Sequence, residues 1–208
     1  MCEHCGRDHE KPDVAGRIAL PPLIALVYEK GGSAAPVMQR LARLLSRQGV
    51  ACAGFIESKV VPEGGGPCDV LLEDLATRET LSLSEDRGAC ARACRLDASA
   101  LMDAVSRAEA AVAGGTGALI LNKFGKTEAE GGGFRSAIAA AIGRGVPVVI
   151  GVPRINLDAW REFSGGLAVE HEVDAPGGRL ESDAALIHRL SGSGHGPGRT
   201  KGEAALAL

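Results

Sequence analysis

Twelve consecutive residues, Asn122-Lys123-Phe124-Gly125-Lys126-Thr127-Glu128-Ala129-Glu130-Gly131-Gly132-Gly133, bring together two lysines, two carboxylates and a run of three glycines. Lys123, Lys126 and the nearby Arg135 are candidates to bind an anion, and Glu128 or Glu130 to act as a base or hold magnesium. Glu128 and Lys126 are the candidate catalytic pair. The run follows the apolar segment Ala118-Leu119-Ile120-Leu121. A buried strand that ends in such a loop is how open α/β sheets present groups to ligands. The plainer alternative is a solvated loop.

A second candidate lies at Tyr28–Ser33, where Gly31, Gly32 and Ser33 stand between an apolar run and a helical pattern. A glycine turn there can cradle a phosphate with backbone amides and the helix dipole. The Lys-Ser/Thr pair that completes a phosphate loop is missing, because Ala34, Ala35 and Pro36 follow. Gly31, Gly32, Ser33, Asn122, Lys123 and Arg135 together make up the expected nucleotide or anion site. Asn122-Lys123 also begins like the guanine-reading Asn-Lys-x-Asp of G proteins, but Gly125 occupies the aspartate position. Cys2-x2-Cys5 has the spacing of half a zinc site, with His9 as a third ligand for zinc or another soft metal. Cys90 and Cys94, four apart, would share one face if their segment is helical, and suit a soft metal, a redox pair or simple burial.

These groups need a scaffold. The chain has 208 residues, is 45% hydrophobic and only 3% aromatic, and carries a formal charge of −3. That length supports one domain with an aliphatic core. No basic face with interleaved aromatics suggests a nucleic-acid partner. No apolar run reaches the roughly 18–20 residues of a membrane span. The start lacks an apolar signal core, so a reducing cytoplasmic setting is expected. Strands are expected over 18–28, 50–56, two short ones within 69–83, and over 118–121, 146–152 and 166–173. Helices are expected over 35–48, from a cap at Asp97 to about Ala113, over 134–143 and around Leu157, Trp160 and Phe163. This alternation predicts an α/β fold, a three-layer sandwich with a mainly parallel sheet. Residues 1–17 read as a Cys/His arm, 18–190 as the α/β domain and 191–208 as a disordered tail.

The segments LILNKFGKTEAEGGGFRSAI, GVPVVIGV, AWREFSGG and ACRLDASAL resemble an uncharacterised bacterial family of P-loop nucleoside-triphosphatase type, often encoded beside molybdate-uptake or molybdenum-enzyme genes. The wider kinship is similar to small P-loop nucleoside-triphosphatases in which this block reads Asp-Glu-x-Gly-Lys-x-Glu. On that pattern Gly125, Lys126 and Glu128 match, whereas Asn122 and Lys123 replace the magnesium-organising acids. The resemblance implies a degenerate P-loop topology and a nucleotide- or oxyanion-binding protein linked to molybdenum metabolism, with weak or absent triphosphatase activity. It implies nucleotide with magnesium as cofactor, and molybdenum-enzyme or transporter components as partners; a homo-oligomer is left open. The alternative is a non-enzymatic accessory protein that binds metal or a partner through the N-terminal cysteines. A third reading is an active triphosphatase that takes its lysine from Lys126.

Overall fold

The computed structural model of the protein describes residues 23–29, 32–58, 71–84 and 97–173. The first strand, β1 (Leu23–Tyr28), is apolar on both sides. Leu23, Ala25 and Val27 enter one core layer, and Ile24 and Leu26 the other. A strand buried on both faces reads as a continuous hydrophobic run, as this one does. Helix α1 (Ala35–Arg47) follows and buries Val37, Met38, Leu41, Ala42 and Leu45, the stripe of a helix that rests on a sheet. Strand β2 (Cys52–Glu57) leads to an antiparallel hairpin of β3 (Leu71–Asp74) and β4 (Thr80–Ser82).

Helix α2 (Ala98–Ala113) starts where its cap residue directs it. Asp97 accepts from the amides of Ser99 at 2.8 Å and Ala100 at 3.1 Å. Then come β5 (Ala118–Leu121), the one-turn α3 (Lys126–Ala129), α4 (Arg135–Gly143) and β6 (Val148–Pro153). A 3-10 turn (Arg154–Asn156) leads into α5 (Leu157–Ser164) and β7 (Ala168–Glu172). The α3 turn lies inside the segment expected to be loop throughout; its cause is given with the site below.

The strands form one sheet in the order β4-β3-β2-β5-β6-β1-β7. Five of them, β2, β5, β6, β1 and β7, are mutually parallel, and the hairpin extends the sheet antiparallel beyond β2. Helix α1 packs on one face, and α2, α4 and α5 on the other. The fold is therefore the expected three-layer α/β sandwich with a mainly parallel sheet, consistent with a P-loop NTPase-like topology. No described helix is long and apolar enough to cross a membrane. The arm and tail expected at the two ends lie outside the described residues.

Backbone geometry holds β2 against β5. Gly54 has φ +110°, and a Cβ there would sit 2.0 Å from the carbonyl oxygen of Ile120. Only glycine tolerates that approach.

Candidate active site at the carboxyl edge of the sheet

Because the five strands run the same way, their carboxyl ends share one edge, where α/β sheets collect ligand-handling groups. Tyr28 and Glu29 close β1, Glu57 closes β2, Asn122 follows β5, Arg154 follows β6 and Glu172 ends β7. The β1–α1 turn and the Asn122–Gly133 segment thus open on the same edge. They also approach each other across β6. A Cβ on Gly151 would lie 2.4 Å from the Asn122 carbonyl oxygen and 3.3 Å from the Ala34 Cβ. Glycine in mid-strand lets the start of α1 and the end of β5 converge there.

The β1–α1 turn is tightly self-bonded. The Gly32 amide donates to the Glu29 carbonyl at 2.9 Å, and the Met38 amide to the Ala34 carbonyl at 3.0 Å. The Ser33 hydroxyl accepts from the Ala35 amide at 3.1 Å. Pro36 has no N–H to offer. Several of the donors that a helix amino terminus presents to an anion are therefore engaged or missing. Ser33 itself is exposed.

Asn122 is buried at 8% exposure, and its Oδ1 accepts from the Glu57 amide at 3.2 Å. The Gln39 side chain donates to the Glu57 carbonyl at 3.2 Å. This chain of contacts ties α1, β2 and β5 together at the edge. Tyr28 stands beside it, half-buried, with its phenol pushed up to about 12 by burial first and the Glu57 charge second.

The rest of the segment is built by inward-facing groups. Phe124 is fully buried, edge-on to Trp160 at 5.3 Å and stacked with Phe163 at 5.7 Å between ring centres. Its amide donates to the Gly151 carbonyl at 2.7 Å, and its carbonyl accepts from Asn156 at 2.9 Å. Glu128 is buried, and its two carboxylate oxygens accept from the Gly125 amide at 2.8 Å and the Phe134 amide at 3.1 Å. The first of these bonds caps α3, which is why one helical turn forms inside a glycine-rich loop. Gly133 has φ +59°, and a Cβ there would fall 1.9 Å from the Glu128 Oε1, so the clasp closes only on glycine. Arg135 lies over the Phe163 ring at 4.4 Å and donates to the Glu128 carbonyl at 3.2 Å.

Of the residues expected at the site, Lys123 and Lys126 are exposed, and Lys126 pairs loosely with Glu130 at 3.6 Å. Gly31, Cys2, Cys5, His9, Cys90 and Cys94 lie outside the described residues. Among the described residues no group of three or more His, Cys, Asp or Glu could hold a metal ion. Glu57, Gly151 and Arg154 were not anticipated. Arg154 bonds both Glu29 and Glu172 and so joins the ends of β6, β1 and β7. Gly151 could have been found, since an isolated glycine within a strand pattern signals close backbone approach. Glu57 directly follows the strand expected over 50–56 and ends the observed β2, a usable signal as well.

No solved structure matches the chain. It is 31% identical over 177 residues to the molybdenum import ATP-binding protein ModC 2 of Bradyrhizobium diazoefficiens, a match that takes in 79% of this chain and 20% of that protein. The chain thus spans about one fifth of that relative's length. Residues 23–177 match the model of the DUF2478 family, described as a protein of unknown function, and the chain belongs to that family.

Proposed function

We propose that the protein binds a nucleotide or a small oxyanion at the carboxyl edge of the sheet, between the Gly32–Ser33 turn and the Asn122–Gly133 segment. In this reading it serves molybdenum metabolism and hydrolyses nucleoside triphosphates slowly or not at all. The observation that carries it is the convergence of Ala34 and Asn122 around Gly151, which brings both candidate segments to one place on one edge. Exposed Lys123 and Lys126 would face the anion, and the unionised Tyr28 phenol would donate to it. The residue types favour low hydrolysis. Phosphoryl transfer depends almost wholly on placed charge, yet a neutral carboxamide and a lysine stand at 122–123, and alanines and a proline follow Ser33. Glu128, the candidate base, has both oxygens engaged by backbone amides. The link to molybdenum, and a transporter component as partner, rest on the name of the ModC 2 relative.

Magnesium would accompany a nucleotide and neutralise its phosphates. The oxygen donors at this edge, the Glu57 carboxylate and the Ser33 hydroxyl, suit that hard cation. Thermal unfolding of the full chain with ATP, GTP, molybdate, tungstate and a sulfate control tests the reading. A ligand that binds only the native state raises its apparent stability with concentration. Expected is a rise with one of the first four that is absent with sulfate and reduced in a Lys123→Ala/Lys126→Ala variant. Flat transitions with all four overturn the proposal.

A further inference from the structure

A cleft of 990 Å³ opens between α1, β2, the β3–β4 turn and the end of α2. It contains no residue of the two segments that make up the anion site proposed above. Its apolar lining includes Val50, Cys52 and Leu75, half-buried against the core beneath α1, and the small Ala42 and Ala53 leave the space open. Burial pushes the Cys52 thiol up to about 11, so it adds no charge at neutral pH. The polar part of the lining is basic. Helix α1 has no acidic residue, and Gln39, Arg43 and Arg47, at four-residue steps, share the face that lines the cleft. Other arginines are committed. Arg107, Arg154 and Arg161 pair with glutamates, and Arg135 lies on Phe163. Arg43 and Arg47 are exposed, and among the described residues no carboxylate pairs with either. Arg78, from the hairpin, also lines the cleft, but Glu73 neutralises it at 2.9 Å.

We infer that this cleft is a second binding site, for a small organic anion whose apolar body rests on the β2 side and whose phosphate or carboxylate groups pair with Arg43 and Arg47. The inference does not rest on the carboxyl-edge reading. Three arguments carry it. The two arginines left unpaired lie four residues apart, about 6 Å along the helix axis, and each guanidinium is a planar fork that fits a carboxylate or a phosphate with two hydrogen bonds. The lining sets the ligand class, because an inorganic anion would leave the apolar part of the cleft wet, whereas an organic body fills it. Small-molecule sites commonly have this make-up, an apolar wall with a few placed polar groups in roughly 300–1,000 Å³. The walls are also fixed in advance. The Thr116 hydroxyl and the Gly117 amide both donate to the Ala51 carbonyl, at 3.0 and 2.8 Å, and tie the end of α2 to the start of β2. The Val50 amide donates to the Leu45 carbonyl at 3.0 Å and ties the end of α1 to the same strand.

The test titrates the full chain with bis-ANS, a fluorescent dye with an aromatic body and two sulfonates, and then displaces it. Naphthyl phosphate, naphthalenedicarboxylate and neutral naphthol serve as competitors with one body and different charge. Expected is saturable binding that Arg43→Gln/Arg47→Gln weakens by at least about tenfold, the scale of one lost hydrogen bond between charged groups. Ser46→Trp, which puts a bulky ring on the exposed wall of the cleft, should weaken it as well. Arg144→Gln, a neutralisation outside the cleft, and Lys123→Ala/Lys126→Ala should leave it within about twofold of wild type, only a few tenths of a kcal/mol. Far-UV circular dichroism should show all variants folded. Displacement by the phosphate, the dicarboxylate or both, with naphthol far weaker, supports the inference and tells which anionic group the cleft takes. No saturable binding, equal affinity in wild type and Arg43→Gln/Arg47→Gln, an equal loss in Arg144→Gln, or displacement by naphthol as strong as by the anions overturns it. Loss in the lysine variant alone places the dye at the carboxyl edge and overturns it too.

Discussion

Glu128 is a buried carboxylate whose two oxygens each accept a backbone N–H. Glu128→Gln turns one acceptor into a donor that faces a donor. An unsatisfied buried group costs about 1–3 kcal/mol, so urea denaturation should show a loss of that size; unchanged stability would mean that the clasp contributes nothing. Tyr28 allows a spectroscopic check, because it is the only tyrosine in the chain. Its phenol is pushed from 10.0 to about 12 by burial and then by Glu57, so between those values the folded protein keeps a proton that the unfolded chain has lost. The contribution of Tyr28 is therefore whole below pH 10 and declines as pH rises toward 12. Tyrosinate absorbance should titrate near 12 in the native protein and near 10 in denaturant, with the native midpoint lowered in Glu57→Gln. A native midpoint near 10 would show that Tyr28 is solvated and apart from Glu57.

Single elements depend on caps and on close approaches. Asp97 caps α2 with two backbone bonds, and Asp97→Ala should cost about 1 kcal/mol, the typical price of a lost N-cap. Asp97→Asn should keep most of it, and equal losses in both variants would contradict the cap. Gly151 is the point on β6 where α1 and β5 converge. Gly151→Ala forces a methyl to within 2.4 Å of the Asn122 carbonyl and should cost about 1–3 kcal/mol by overpacking. Because it pushes the two candidate segments apart, it should also remove the ligand-induced rise in unfolding temperature. A variant that keeps that rise would place the ligand elsewhere. The element pattern itself was readable along the chain, as helical spacing in α1, the cap before α2 and the apolar runs of β1, β5 and β6. The α3 turn was not, since the four residues Lys126–Ala129 are too few for periodicity, and it exists because Glu128 folds back onto Gly125.

For the whole molecule, the proposed function predicts slow chemistry on a binding fold. Phosphate release from ATP or GTP with magnesium should stay near the uncatalysed background, and Lys126→Ala should not change it, because Lys126 is exposed and paired only loosely with Glu130. Magnesium-dependent turnover well above background that Lys126→Ala abolishes would instead make this an enzyme with an unusual lysine. The five parallel strands give such a fold one functional edge, and chemistry that depends on several loops has to be assembled there.

From the sequence alone follow the α/β class, the parallel core and the edge on which the polar segments open, because hydrophobic period and strand–helix alternation are local properties. Tertiary structure decided the direction of each polar side chain, because that depends on partners distant in the chain. Asn122 looked like a ligand-facing residue, yet it binds the amide of Glu57, 65 positions away. Arg135 looked like an anion clamp, yet its guanidinium lies on Phe163 in a helix beyond the next strand. Glu128 matched a catalytic pattern, yet it turns inward onto amides that need their hydrogen bonds once buried. Residue type is written in the chain, whereas which of two like carboxylates faces solvent, as Glu57 does, is settled by packing.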